Sequence, residues 1–338
     1  MKNKRWGVIA SIAAIVVLAG CSSTVATSST ASADKSKIKV AYVSLIQGIS
    51  YYAAFDKGGQ AEAKKLGIKF TGTGPAKADS AEQLRIFNSL VAQGYKGIAI
   101  APVDPTALNS AIAAARAKGV TVITSDADAT GSKRQLYVAQ ASGDALGAQV
   151  LDQIAEQMGG KGDYGIVSGA ANTTSFNSWI AGAEAEQKKK YPDMHLVGGV
   201  QYTLTTADAL SDAQNLITAH PDIKGILALP SSGIPGVAQA IENANLTGKI
   251  AMCGFGSPQT ALPYVKAGVM KSTVLWDVPQ LGALTVWAMN QLITGKGIKA
   301  SNTIPGFKDP VVYDKANQTL ILGKPIVFTK ANINNYDY

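Results

Sequence analysis

The side chains best suited to metal or nucleophile chemistry are scarce in this sequence. Its 338 residues include two histidines, His195 and His220, and two cysteines, Cys21 and Cys253. That number excludes a histidine-rich metal site, a multi-cysteine zinc or iron–sulfur centre and a disulfide scaffold. His195 starts a strand-like run, and His220 closes a helix-like run before Pro221, where a histidine serves the helix dipole. A Ser–His–Asp arrangement is therefore disfavoured. No phosphate-cradling loop, no Gly-x-Ser-x-Gly elbow and no His-Glu-x-x-His helix occurs, and Gly72-Thr73-Gly74 lacks the third glycine of a dinucleotide fingerprint. Cys253 lies in the apolar run Lys249–Phe255 and reads as a buried, inert thiol. No cofactor and no metal are expected.

A different chemistry is well supplied. Gln47, Tyr51, Tyr52, Phe176, Asn177, Trp179, Ser231 and Trp276 are rings, amides and hydroxyls, joined by the carboxylates Asp126, Asp128 and Asp277. Sugars and polyols need this mixture: C–H faces lie on aromatic rings, and hydroxyls need fixed donors and acceptors in a drier site. A carboxylate accepts from two neighbouring hydroxyls through charge-assisted bonds. No Arg or Lys falls in the set, although Lys133 and Arg134 are near, which argues against a phosphate or carboxylate ligand. Each member also has a plainer role open to it. Tyr51, Tyr52 and Trp179 serve equally as core, Asp277 as a helix cap, and Asp126 and Asp128 as a loop pair facing solvent. Asp126 with Asp277 would also satisfy the need of a glycosidase for two carboxylates.

The elements that position these residues alternate strand and helix. Strands are expected at 37–45, 69–71, 97–101, 120–125 and 136–140, with helices at 51–66, 80–93 and 105–118. The pattern restarts with a helix at 142–158. Strands at 163–168, 195–202, 223–229, 249–255 and 271–276 follow, with helices at 176–191, 206–219, 234–243, 257–267 and 279–294 and a β-rich end at 311–328. Strands separated by helices of 10–15 residues imply parallel sheets covered on both faces. The break near residue 141, where two strands run without a helix between them, favours two doubly wound α/β lobes over one barrel. Ligands of open α/β sheets bind beyond the carboxyl ends of the strands, which is where the residues above fall.

Before these elements, Met1–Trp6 is basic, Val8–Leu18 is an apolar run too short to span a bilayer, and Leu18-Ala19-Gly20-Cys21 ends it. Residues 1–20 read as a secretory signal and 21–36, rich in Ser, Thr and Ala, as a flexible tether. Leu-Ala-Gly-Cys resembles the bacterial lipobox, which implies a lipidated Cys21 and a protein anchored to the cell membrane outside the cytoplasm, since two or three acyl chains hold stably. The net charge of +8 includes Lys2, Lys4 and Arg5 of the signal. The other basic residues are scattered, with Lys188–Lys190 the only run of three, so no nucleic-acid partner is expected.

Six segments together resemble the periplasmic sugar-binding proteins of ABC transporters in the ribose-binding group. They are Lys39–Ser44, Gly94–Ile100, Val122–Asp128, Ala219–Asp222, Gly254–Gly256 and Leu275–Val278. The resemblance covers residues 37–338. Within the group, Trp276-Asp277-Val278, Pro263-Tyr264-Val265 and the ending Asn332–Tyr338 are most similar to the rhamnose-binding and autoinducer-2-binding branch. The resemblance implies a type I periplasmic-binding-protein fold, two Rossmann-like lobes joined by a three-strand hinge, with the ligand clamped between them. It implies an N-terminal lobe of 37–141 plus 256–300 and a C-terminal lobe of 142–255 plus 301–338. It places Asp126 as the carboxylate that holds sugar hydroxyls, Tyr51 and Tyr52 as the aromatic pair beside the first strand, Phe176 and Asn177 in the polar loop of the second lobe, and Pro230, Ser231 and Trp276 at further cleft positions. Leu45 stands where the autoinducer-2 branch has lysine, and Ser175-Phe176 where it has Asp-Gln. These departures weigh against autoinducer-2, and the larger share of aromatic and hydroxyl side chains favours a neutral sugar or sugar alcohol. The implied partners are that ligand and an ABC permease, the chain acting as a monomer and not as an enzyme.

Overall fold

The computed structural model describes residues 37–171 and 173–338; the expected signal 1–20, the tether 21–36 and Cys21 lie outside the described residues. Val40, Ala41, Tyr42 and Val43 are all fully buried, a run without alternation that marks a strand covered on both faces. They belong to β1 (Lys39–Val43), which pairs in parallel with β2 (Lys69–Thr73) on one side and β3 (Gly97–Ile100) on the other. β4 (Thr121–Ser125) and β5 (Tyr137–Ala139) extend the sheet. The helices between them are α1 (Ser50–Leu66), α2 (Ser80–Ala92) and α3 (Asn109–Ala117). Asp79 caps α2 by accepting from the Ala81 and Glu82 amides, and Gly67, at φ 71°, closes α1 in the left-handed conformation that glycine tolerates. α3 begins later than Pro105 suggests. Asp104 Oδ1 accepts from the Thr106 and Ala107 amides, and this local turn occupies the donors that a helix start would use.

The second lobe opens with α4 (Gly143–Met158). It continues through β6 (Gly162–Ser168), α5 (Thr174–Lys190), β7 (Met194–Tyr202), α6 (Thr206–Ala219), β8 (Gly225–Ala228), α7 (Gly233–Asn243), β9 (Ala251–Gly254), α8 (Pro258–Ala267) and β10 (Ser272–Leu275). Its parallel sheet runs in the order β7-β6-β8-β9, and a bridge from Phe255 to Val274 carries it on to β10. Cys253 of β9 is buried, and burial pushes its thiol up to about 12, as suits an inert core residue.

The chain then returns to the first lobe. α9 (Val278–Ile293) packs on α1, and β11 (Ser301–Asn302), β12 (Val311–Asp314) and β13 (Thr319–Ile321) complete the first sheet in the order β11-β12-β13-β5-β4-β3-β1-β2. Finally β14 (Ile326–Thr329) crosses back to pair antiparallel with β10. The chain thus passes between the sheets three times, at 140–142, 276–277 and 322–325. This pairing divides the C-terminal part differently from the sequence expectation. Residues 256–275 stand with the second sheet, and 301–321 with the first. β13 finds its parallel partner in β5, a pairing across nearly two hundred residues that local patterning does not encode.

The α1–α9 contact sets the floor of the first lobe, and glycines make it close. A methyl group on Gly282 would collide with the Phe55 carbonyl oxygen. Gly282→Ala is expected to lower stability by about 1–3 kcal/mol through overpacking. At roughly 2–4 °C per kcal/mol for a chain of this size, a thermal melt registers the loss as a drop of several degrees.

Candidate functional site

β4 ends in a tight turn. The Ala127 amide donates to the Ser125 carbonyl at 2.9 Å, and Asp126 between them stands at φ 72°. Asp is among the few residues that accept this region, and such strain gathers at functional sites. The turn aims the Asp126 carboxylate into the cleft between the lobes, where three side chains donate to it. Tyr51 hydroxyl reaches Oδ1 at 2.6 Å, Tyr52 hydroxyl reaches Oδ2 at 3.0 Å, and Gln140 Nε2 reaches Oδ1 at 2.7 Å. Burial pushes the Asp126 carboxyl above its ordinary value, and the bonds from Tyr51, Gln140 and Tyr52 offset only part of that rise. Burial, with the Asp126 charge beside them, holds the Tyr51 and Tyr52 phenols well above their ordinary value, so both stay protonated donors. A carboxylate has about four acceptor positions. Three are taken, and the one left is on Oδ2.

Aromatic rings surround this group. Trp276 Nε1 donates to Tyr51 hydroxyl at 3.0 Å, and the rings of Tyr51 and Trp276 meet edge to face, 6.2 Å apart. Trp179 of α5 lies 4.4 Å from the Phe255 ring and 5.2 Å from Phe176, with Trp276 at 6.4 Å. Phe176 can settle there because Gly169 has no Cβ to strike its ring. These residues, with Pro230, Ser231, Pro235, Ser257 and Thr260, line a cavity of about 590 Å³ in which Asp126 is the one charged side chain among the described residues. A second cavity of about 500 Å³, more polar, shares Asp126 and Trp179 with the first and is bordered also by Asp104, Asp128, Tyr137, Gln140, Ser175 and Ser178.

The structure therefore brings Tyr51, Tyr52, Asp126, Phe176, Pro230, Ser231 and Trp276 to one cavity. Four expected site residues stand apart from it. Asp128 is held by Arg134, Nε to Oδ1 at 2.5 Å and Nη2 to Oδ2 at 2.7 Å, and takes a further bond from Thr124 hydroxyl. It borders the second cavity with its charge already paired. Asp277 caps α9: Oδ1 accepts from the Gln280 amide and Oδ2 from the Gln280 side chain. Asn177 is exposed, its Nδ2 donating to the Ala171 carbonyl. Gln47 is exposed as well, because residues 44–47 turn toward β2, with Ser44 N on Thr73 O and Gln47 N on Pro75 O. Sequence reasoning missed Gln140, whose only signal is its place at the end of β5. Trp179 serves both as core, at 9% exposure, and as cavity wall.

The family described as periplasmic binding protein domain matches residues 40–297. The chain is 30% identical over 242 residues to the D-allose-binding periplasmic protein of Escherichia coli, covering 69% of this chain and 77% of that one. It is similar to LsrB from Clostridium saccharobutylicum in complex with AI-2, at 28% identity, TM-score 0.77 and coverage of 89% and 100%. It is also similar to an ABC transporter solute-binding protein from Clostridium phytofermentas with bound L-rhamnose, at 27% identity, TM-score 0.76 and coverage of 88% and 98%.

One turn along α1 from Tyr52, Asp56 faces Gly72 of β2, with Oδ1 buried and without a hydrogen-bond partner among the described residues. Burial lifts its carboxyl from 3.8 to about 6. The folded state then binds the proton more tightly than the unfolded chain, so stability falls as pH rises from about 4 to about 6. Asp56→Asn is expected to remove that fall. In thermal melts from pH 4 to pH 8 the variant gains on the native chain as pH rises, and the difference levels off above the carboxyl's folded value.

Proposed function

The chain belongs to the periplasmic binding protein family, and from that premise we propose that it is the extracytoplasmic receptor of an ABC importer for a small neutral sugar or sugar alcohol. A lipid on Cys21 holds it to the membrane, and it acts as a monomer that hands its ligand to the permease. The observation that carries the reading is the Asp126 carboxylate, with one acceptor position left on Oδ2, in the lining of a cavity of aromatic rings. A ring ligand lays its C–H face on Trp276, Trp179 or Phe176 and donates a hydroxyl to Asp126, while Ser231, Ser257 and Thr260 of the second lobe meet its other edge. Contacts with both lobes at once favour the closed form over the open one, which is the thermodynamic content of closure.

Hydrolysis is not part of the reading. A glycosidase needs a second carboxylate across the ligand, about 5–9.5 Å away. Asp277, the partner considered from sequence, holds both oxygens on Gln280 and lies outside the cavity lining. The likeness to LsrB supports a second reading, capture of AI-2 as a signal. Leu45 and Ser175-Phe176, at the positions where that branch carries charged and amide groups, weigh against it.

A thermal-shift screen of the protein against pentoses, hexoses, deoxyhexoses, C4–C6 polyols and AI-2 tests the proposal. A ligand at 100 times its dissociation constant adds about 2.7 kcal/mol, a rise of several degrees. A shift with a sugar or polyol is the expected result, a shift with AI-2 alone establishes the second reading, and a flat panel contradicts both. Asp126→Asn is expected to weaken the successful ligand at least about tenfold, since a bond to a charged group contributes about 1.5–3 kcal/mol. Cys21→Ser is expected to move the protein from the membrane fraction to the soluble extracytoplasmic fraction, read by fractionation and immunoblot.

A further inference from the structure

Two of the three inter-lobe crossings end on the same carboxylate. Gln140 is the first residue of the crossing at 140–142, and its amide donates from Nε2 both to Asp126 Oδ1 and to the Asp126 carbonyl, each at 2.7 Å. Two oxygens facing one amide nitrogen fix which way the amide points. Tyr137 hydroxyl donates to the same carbonyl at 3.1 Å. Trp276 is the first residue of the crossing at 276–277. Its Nε1 donates to Tyr51 hydroxyl, which donates in turn to Asp126 Oδ1. Tyr338 hydroxyl, buried behind it, holds the Trp276 carbonyl at 3.3 Å. The third crossing, at 322–325, is fastened to the first: Leu322 N donates to Ala139 O and Gly323 N to Gln140 O.

Gln140 and Trp276 are nearly buried, at 7% and 5% exposure, so their N–H groups have little access to water as an alternative partner. Losing the acceptor costs them the desolvation of an unpaired donor. No bond joins residues 139–141 to residues 276–278 among the hydrogen bonds above; a hydrogen-bonded path between the two crossings runs through Asp126 and Tyr51.

We propose that Gln140 and Trp276 are positioning residues that tie the Asp126 carboxylate to two crossings of the hinge, so that a hydroxyl arriving at Asp126 and the setting of the lobe angle are one event. The inference rests on the receptor reading above and adds how the site communicates with the hinge. A ligand hydroxyl that takes the position left on Oδ2 draws the carboxylate's negative charge toward itself and so weakens the bonds that Tyr51 and Gln140 make to Oδ1. Both of those donors belong to chains that lead into a crossing, whereas Tyr52, the donor already at Oδ2, sits on α1 and leads into none.

Hydrogen exchange of the ligand-free full chain tests this without knowledge of the ligand. Trp276→Phe keeps a ring and drops the N–H; Gln140→Met keeps the length and drops the amide. The expected result is crossed. Trp276→Phe speeds amide exchange in 139–142 about tenfold, Gln140→Met does the same in 276–278, and Tyr52→Phe leaves both segments at the native rate. Exchange that quickens only around the altered residue, as a merely local structural role requires, overturns the proposal, and so does an equal effect from Tyr52→Phe. Scattering with L-rhamnose or D-allose separates this outcome from that of the receptor reading. Absence of any contraction in the native chain counts against sugar capture, while the crossed exchange pattern stands or falls by itself.

Discussion

A carboxylate taken out of water survives as an anion only where donors replace the water. Asp126 has such donors, two phenols from the start of α1 and an amide from just past the end of β5. The rest of the site follows from this requirement. The strained turn at φ 72° aims the group into the cleft, burial keeps Tyr51 and Tyr52 protonated so that they donate, and Trp276 orients Tyr51 by donating to it. The aromatic walls lower the local dielectric, which strengthens each of these bonds and makes any one that is left unmade costly. A site built in this way is polar at one point and apolar around it, the arrangement that distinguishes one hydroxylated ring from bulk water.

Much of the fold was legible from short-range pattern, because periodicity and caps are local. The strand through Val40–Val43, the helix that stops before Gly67 and the helix that starts after Asp79 stand where the alternation puts them. What stayed hidden was long-range or decided by a single neighbour. The allocation of 301–321 to the first sheet depends on β13 meeting β5, and nothing in the alternation of Val311–Ile321 names its partner. Pro105 signals a helix start, yet Asp104 closes a turn first, and α3 waits until Asn109.

The site shows the same division. Asp126 and Asp128 are identical side chains two residues apart after the same strand. Arg134, six residues on, neutralises one of them and leaves the other to the cleft. Asp277 and Gln280 stand three apart, the spacing of a cap, and the cap prevails. Gln140 carried no signal beyond its place at a strand end, since its importance comes from facing two oxygens of a residue fourteen positions away. Residue type and strand-end position identified the chemistry; the neighbours that decide which groups remain available became visible only in three dimensions.

In the receptor proposed above, a sugar hydroxyl meets the protein at Asp126 Oδ2. A crystal structure of the complex with the sugar or polyol that stabilises the chain most tests it directly. The account predicts one ligand hydroxyl within hydrogen-bond distance of Asp126, the ring face against Trp276, Trp179 or Phe176, and both lobes in contact with the ligand. A ligand bound elsewhere in the cleft, with Asp126 still satisfied by Tyr51, Tyr52 and Gln140 alone, would contradict it.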